Sequence, residues 1–221
     1  MQLKTLSLIR EKAIEYFLTI YYPIYCQNTT EQKIESKQML ADIIEGITIT
    51  NTSSYSLDDT IISYYDSIHN IIYVCNQYSD DISTYIHEYT HAIDPTDVFK
   101  CSNDKFALTE AQEDLLYSIY KTDQMQKTYD TKYNLTGIFL QKMIVREARA
   151  ENNELRYILY TEFTASDYAT FADYIEHLTN ADFEQIASQL GYHTKDRWRL
   201  ADNSYDDEKI KNAKLAILSI A

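Results

Sequence analysis

The chain has 221 residues, a length that suits one domain, and its 45% hydrophobic content is enough to build a core. Three glycines and two prolines are too few for the tight turns of a β-sandwich or barrel, so a mainly helical protein is expected. The net charge of −14 argues against nucleic acid or an anionic membrane as the main partner, because both are polyanionic. Cys26, Cys75 and Cys101 are too few and too scattered for a disulfide framework or a Cys-rich zinc site. Cys75, with apolar neighbours, reads as a small core residue.

Residues 3–22 carry Leu6, Ile9, Ala13, Ile14, Phe17, Leu18 and Tyr21 at helical spacing, and Pro23 is expected to end the run. Arg10, Glu11, Lys12 and Glu15 interrupt this stretch, which excludes a secretory signal there. No window has the apolar length of a transmembrane helix. The expectation is a cytoplasmic protein, or one secreted or delivered into a host cell without a Sec-type signal. A second helix is expected from Thr29 or Thr30, with Glu31 in its first turn, to Gly46.

The texture then turns to β. Ile47-Thr48-Ile49-Thr50 alternates, residues 60–65 are β-rich, and residues 70–75 read as a buried strand. About three strands should therefore form a small sheet. Ser79-Asp80-Asp81 is a capping signal for a helix running from about residue 81 to Asp94, where Pro95 stops it. The rest reads as helices. One starts at Thr109, another covers 135–163, and Thr164-Ala165-Ser166-Asp167 has the form of a capping box for a helix ending near Leu178. Asn180–Gly191 and a short helix opened by Asp206-Asp207-Glu208 complete the chain. With no linker or repeat, the reading is a single domain over residues 1–221, α+β and predominantly helical, with a small sheet before the motif helix.

That helix carries His87-Glu88-Tyr89-Thr90-His91. Residues four apart share a helix face, so His87 and His91 can bind one metal ion through their ring nitrogens. Glu88 stands beside the first ligand, where its carboxylate can act as general base toward water on that metal. Zinc brings such a water toward neutral pKa and polarises a scissile carbonyl.

The segment His87-Glu88-Tyr89-Thr90-His91-Ala92-Ile93-Asp94 resembles the active-site helix of the zincin metallopeptidases. It is most similar to small bacterial effector and toxin proteases, including the lethal-factor-like group. The resemblance covers eight residues. It implies a zincin-like fold, one catalytic zinc, a protein or peptide substrate and a later helix that supplies a third ligand.

A metzincin-like ligand at Asp97 lacks the glycine that the turn would need at position 94. Asp97 stays possible, and three glutamates compete with it. Glu110, in Glu110-Ala111-Gln112-Glu113-Asp114, resembles the thermolysin-type glutamate helix, although in a first turn a Glu commonly serves the helix dipole. Glu162, in Glu162-Phe163-Thr164-Ala165-Ser166-Asp167, is similar to the lethal-factor-like glutamate helix, with Ser166 where that pattern has an acid. Glu147 sits mid-helix with Ala150 at the third position and Glu151 at the fourth, a small residue for close approach and an acid able to orient a ligand. Glu147 is the choice, narrowly. Tyr157 lies ahead of Glu162 much as a catalytic tyrosine does in the lethal-factor-like group, which implies an oxyanion-stabilising role. His177 and His193 have no ligand-like spacing and read as surface residues. The expected function is zinc-dependent endopeptidase activity with Glu88 as general base, as in an effector cleaving a specific protein. The alternative is a catalytically inactive zincin-like binding or regulatory protein.

Overall fold

The structure is a computed structural model that describes residues 2–27, 33–52, 62–94, 107–190 and 195–221. It is α+β and mostly helical, with a three-stranded sheet. Its contacts gather into two compact units, Met1–Leu108 together with Ala221, and Thr109–Ile220.

In the first unit, helix α1 (Gln2–Tyr16) passes through a π-helical turn (Phe17–Tyr21) directly into α2 (Tyr22–Gln27). Pro23 therefore does not end the helix, contrary to expectation. A helical proline has no N–H to donate and its ring presses on the carbonyl one turn back. The π turn, in which the Tyr22 N–H bonds the Phe17 carbonyl five residues earlier, widens the backbone where that conflict falls. Helix α3 (Lys33–Glu45) ends as expected at Gly46, whose N–H donates to the Asp42 carbonyl at 2.9 Å. A Cβ at Gly46 would stand 3.1 Å from that same oxygen, so the tight exit favours glycine. The expected start at Thr29 or Thr30 lies outside the described residues.

Strands β1 (Thr48–Thr52), β2 (Ser63–Asp66) and β3 (Ile71–Cys75) form a sheet in the order β1-β3-β2. β1 runs parallel to β3, and β2 pairs antiparallel with it, Ser63 opposite Val74 and Tyr65 opposite Ile72. Asn70, left-handed at φ 56°, makes the turn between β2 and β3. Its side chain accepts from the Tyr65 hydroxyl at 2.7 Å and donates to the Gly46 carbonyl at 3.0 Å. The pleat puts Ser63, Tyr65, Ile72 and Val74 on one face. Ile72 and Val74 are fully buried there. Cys75 falls on the opposite parity with Ile71 and Tyr73 and is only half-buried, so it is not the core residue its apolar neighbours suggested. Helix α4 (Ile82–Ile93) packs on β2, β3, α1 and α3, with Tyr89 edge-on to Phe17 at 6.3 Å between ring centroids.

The second unit is all helical. α5 (Glu110–Tyr120) opens with a full capping box between Thr109 and Gln112. α6 (Asp123–Tyr133) is a separate helix absent from the sequence reading, capped by Thr122 and ended by left-handed Asn134. α7 spans Gly137–Thr164, and α8 (Phe171–His177), α9 (Asn180–Ala187) and α10 (Asp207–Ser219) follow. The capping box expected at Thr164 does not form. Its hydroxyl turns back to the Thr161 carbonyl at 2.7 Å, and Thr170 instead caps α8 by accepting from the Asp173 N–H. Among the described residues no helix is long and apolar enough to cross a membrane.

The end of α10 is tied down by α7. Arg156 is fully buried, and its guanidinium donates to the carbonyls of Ala216, Ile217 and Ile220 and to the Asn153 side chain. Asn152 adds two bonds of 3.3 Å to Ala216 and Ile220 while accepting from the Tyr120 hydroxyl at 2.9 Å. The last carbonyls of a helix lack intrahelical partners and carry partial negative charge, which a guanidinium answers. Arg156→Ala strands these buried acceptors, and at about 1–3 kcal/mol for each unsatisfied group it should lower stability by roughly 3 kcal/mol or more. Urea unfolding followed by circular dichroism measures the loss, and Arg156→Lys should recover only part of it.

Candidate metal centre

Helix α4 owes its start to Asp81. That carboxylate accepts from the Ser83 N–H at 3.0 Å, the Ser83 hydroxyl at 2.8 Å and the Thr84 hydroxyl at 3.3 Å. The helix is buried over most of its circumference, with Tyr85, Ile86, Tyr89 and Ile93 as its apolar packing residues. Burial pushes the Tyr85 phenol up to about 12, so it remains a donor, and it reaches the Ser79 carbonyl at 3.1 Å. The helix stops after Ile93, where Asp94 turns to extended backbone while its N–H still bonds the Thr90 carbonyl at 2.9 Å.

On this helix His87 is half-buried and His91 is 6% exposed. Their rings lie 4.9 Å apart between centroids and 79° between planes, one turn above the other. Glu88 is 3% exposed. Its Oε1 accepts from the Ser63 hydroxyl on β2 at 2.6 Å, a short charge-assisted bond. Its Oε2 is buried and has no hydrogen-bond partner among the described residues. A buried carboxylate oxygen left in that state costs free energy and calls for a chemical reason.

The three candidate glutamates lie in very different surroundings. Glu110 is exposed in the first turn of α5, beside the Thr109 cap. Glu162 is exposed in the last turn of α7 and accepts from the Gln189 amide at 3.3 Å. Glu147 is half-buried in the middle of α7, next to the buried Ala148. The Tyr129 hydroxyl on α6 donates to the Glu147 carboxylate. Burial, and then the charge of Glu147, raise the Tyr129 pKa and keep the phenol protonated as a donor. Tyr157 is half-buried on α7 and His177 is exposed at the end of α8. Asp97 and His193 lie outside the described residues.

His87 and His91 thus offer two ring nitrogens from one face of α4, and Glu147 offers a carboxylate from the middle of α7. Comparison with protein-family models, curated proteins and solved structures finds no match. The donor set must therefore be judged on its own chemistry. Two imidazoles and one carboxylate are a ligand set that a catalytic zinc accepts, with a fourth position left for water.

Sequence reasoning had no access to Ser63 or Tyr129. Ser63 reaches Glu88 across 25 positions of chain, and a serine in a short strand carries no signal of its own. The parity it shares with Tyr65 was the one available clue. Tyr129 lies on a helix the pattern did not separate. Because Asp81 anchors the helix on which the donors stand, Asp81→Ala should cost about 1 kcal/mol, a cost typical of losing an N-cap. Thermal unfolding checks this, and Asp81→Asn should restore most of the midpoint.

Proposed function

We propose that the chain is a zinc-dependent peptidase of the zincin type, hydrolysing peptide bonds within a protein substrate. The observation that carries this reading lies on α4. Two imidazoles stand one turn apart on the helix, beside a buried carboxylate with one oxygen held by Ser63 and the other without a hydrogen-bond partner among the described residues. Glu147, mid-helix and half-buried on α7, is the acid we assign as the third ligand.

In this reading His87, His91 and Glu147 bind the ion. Zinc, when bound, makes water acidic enough to ionise near neutral pH and polarises the carbonyl under attack. The chain itself moves the proton. Oε2 of Glu88 takes it from the water whose oxygen adds to the carbonyl carbon, and returns it to the amine nitrogen as the C–N bond breaks. The Tyr129 hydroxyl holds the Glu147 carboxylate, as hydrogen bonds to metal-binding carboxylates generally do.

Two outcomes test the reading. Protein equilibrated with zinc and dialysed should hold one equivalent by plasma mass spectrometry. His87→Ala, His91→Ala and Glu147→Ala should each weaken zinc binding at least tenfold, while Glu110→Ala and Glu162→Ala leave it intact. Wild-type protein holding far less than one equivalent refutes the metal. Glu88→Gln should keep the zinc and lose about 100- to 10,000-fold in peptide-bond hydrolysis, the range supplied by a general base. The assay is cleavage of a proteome-derived peptide library read by mass spectrometry, and unchanged cleavage by Glu88→Gln refutes the mechanism.

A further inference from the structure

We infer that Ser63 is a positioning residue for the general base, holding Oε1 of Glu88 so that Oε2 is the oxygen that takes the proton. This rests on the peptidase reading and adds to it a residue outside the metal-binding motif.

A glutamate side chain has three rotatable bonds, and its two carboxylate oxygens are chemically equivalent until something distinguishes them. Here the distinction is made by one hydroxyl at 2.6 Å from Oε1. That hydroxyl stands on a stiff support. Ser63 is paired in register with Val74, and the preceding residue, Ile62, accepts from the Cys75 N–H at 2.9 Å. The pleat directs Ser63 to the same face as Tyr65, Ile72 and Val74, against which α4 packs. The donor is therefore fixed by the sheet and the acceptor by the helix, and the single bond between them sets the carboxylate's torsion. Oε2 is left buried with no partner among the described residues. A group held in this way enters the reaction already oriented, and a displacement of about an ångström can cost on the order of a hundredfold in rate. A serine that only filled space would not need its hydroxyl on Glu88.

The test compares Ser63→Ala and Ser63→Thr with wild type and with Glu88→Gln, on a fluorogenic peptide chosen from the library cleavage above. Ser63→Ala should lower kcat roughly 10- to 100-fold with KM and zinc stoichiometry unchanged. Ser63→Thr, which restores a hydroxyl on a strand-compatible side chain, should recover most of the loss. Adding Ser63→Ala to Glu88→Gln should slow the enzyme no further, because the serine acts through the base. A second readout needs no turnover. In metal-free protein Ser63→Ala should lower the thermal midpoint more in the wild-type background than in Glu88→Ala, where no carboxylate remains to be held. Wild-type kcat in Ser63→Ala, or equal midpoint shifts in both backgrounds, overturns the role of Ser63. A wild-type protein that binds no zinc, or a Glu88→Gln variant that cleaves normally, overturns the peptidase reading instead.

Discussion

The first unit is organised around a carboxylate almost entirely withdrawn from bulk solvent. Glu88 is 3% exposed in a helix whose neighbours Tyr85, Ile86 and Tyr89 are fully buried. Removing an ionised carboxylate from water is costly unless protein groups replace the lost hydration. One hydroxyl from β2 replaces part of it. That requirement ties the helix to the sheet more specifically than apolar packing could. Ile72 and Val74 would tolerate a small slide of α4, whereas a 2.6 Å hydrogen bond to one carboxylate oxygen would not.

The second unit meets a related problem with the opposite sign. Arg156 is buried completely, and its partners are backbone carbonyls at the end of α10 together with the Asn153 side chain. Nearby, Arg197 pairs with Glu151 at 2.6 Å and also donates to the Tyr120 carbonyl at 2.8 Å. Consecutive polar residues of α7, from Glu151 to Glu154 and on to Arg156, are buried rather than solvated. α7 is therefore the central scaffold of its unit. Its stability depends on satisfying polar groups as much as on covering apolar ones.

What could be read from the sequence follows from the range of each interaction. Asp81, Thr109 and Asp206 were legible as helix starts because a cap is settled within three residues of chain. Gly46 was legible as a helix end for the same reason. The three strands were legible from their β-branched and aromatic content. The misreadings came where two local options were nearly equal. Thr164 could cap a new helix or bond back into the old one, and the aromatic packing of Phe163, Phe171 and Tyr174 accompanies the second choice. Pro23 could stop a helix or be absorbed by a π turn, and Phe17 and Tyr21, both fully buried, hold that turn in the core. In the candidate site, His87, Glu88 and His91 were visible because a helix fixes their relation. Ser63 and Tyr129 were invisible because only the tertiary fold brings them to their carboxylates.

The choice among the three glutamates illustrates the same physics. By composition alone Glu110, Glu147 and Glu162 are equivalent, each followed by a small residue within a turn or so. Their positions along a helix separate them. Glu110 stands among orphan N–H groups in a first turn, where a carboxylate is already served by the helix dipole. Glu162 stands in a last turn, where that dipole is unfavourable to it, and it faces water and an amide. Of the three, Glu147 is the one that is mid-helix and half-buried, and the Tyr129 hydroxyl donates to it. A mid-helix carboxylate gains from neither helix end, so its stabilisation has to come from groups on neighbouring elements, and Tyr129 on α6 is one of them.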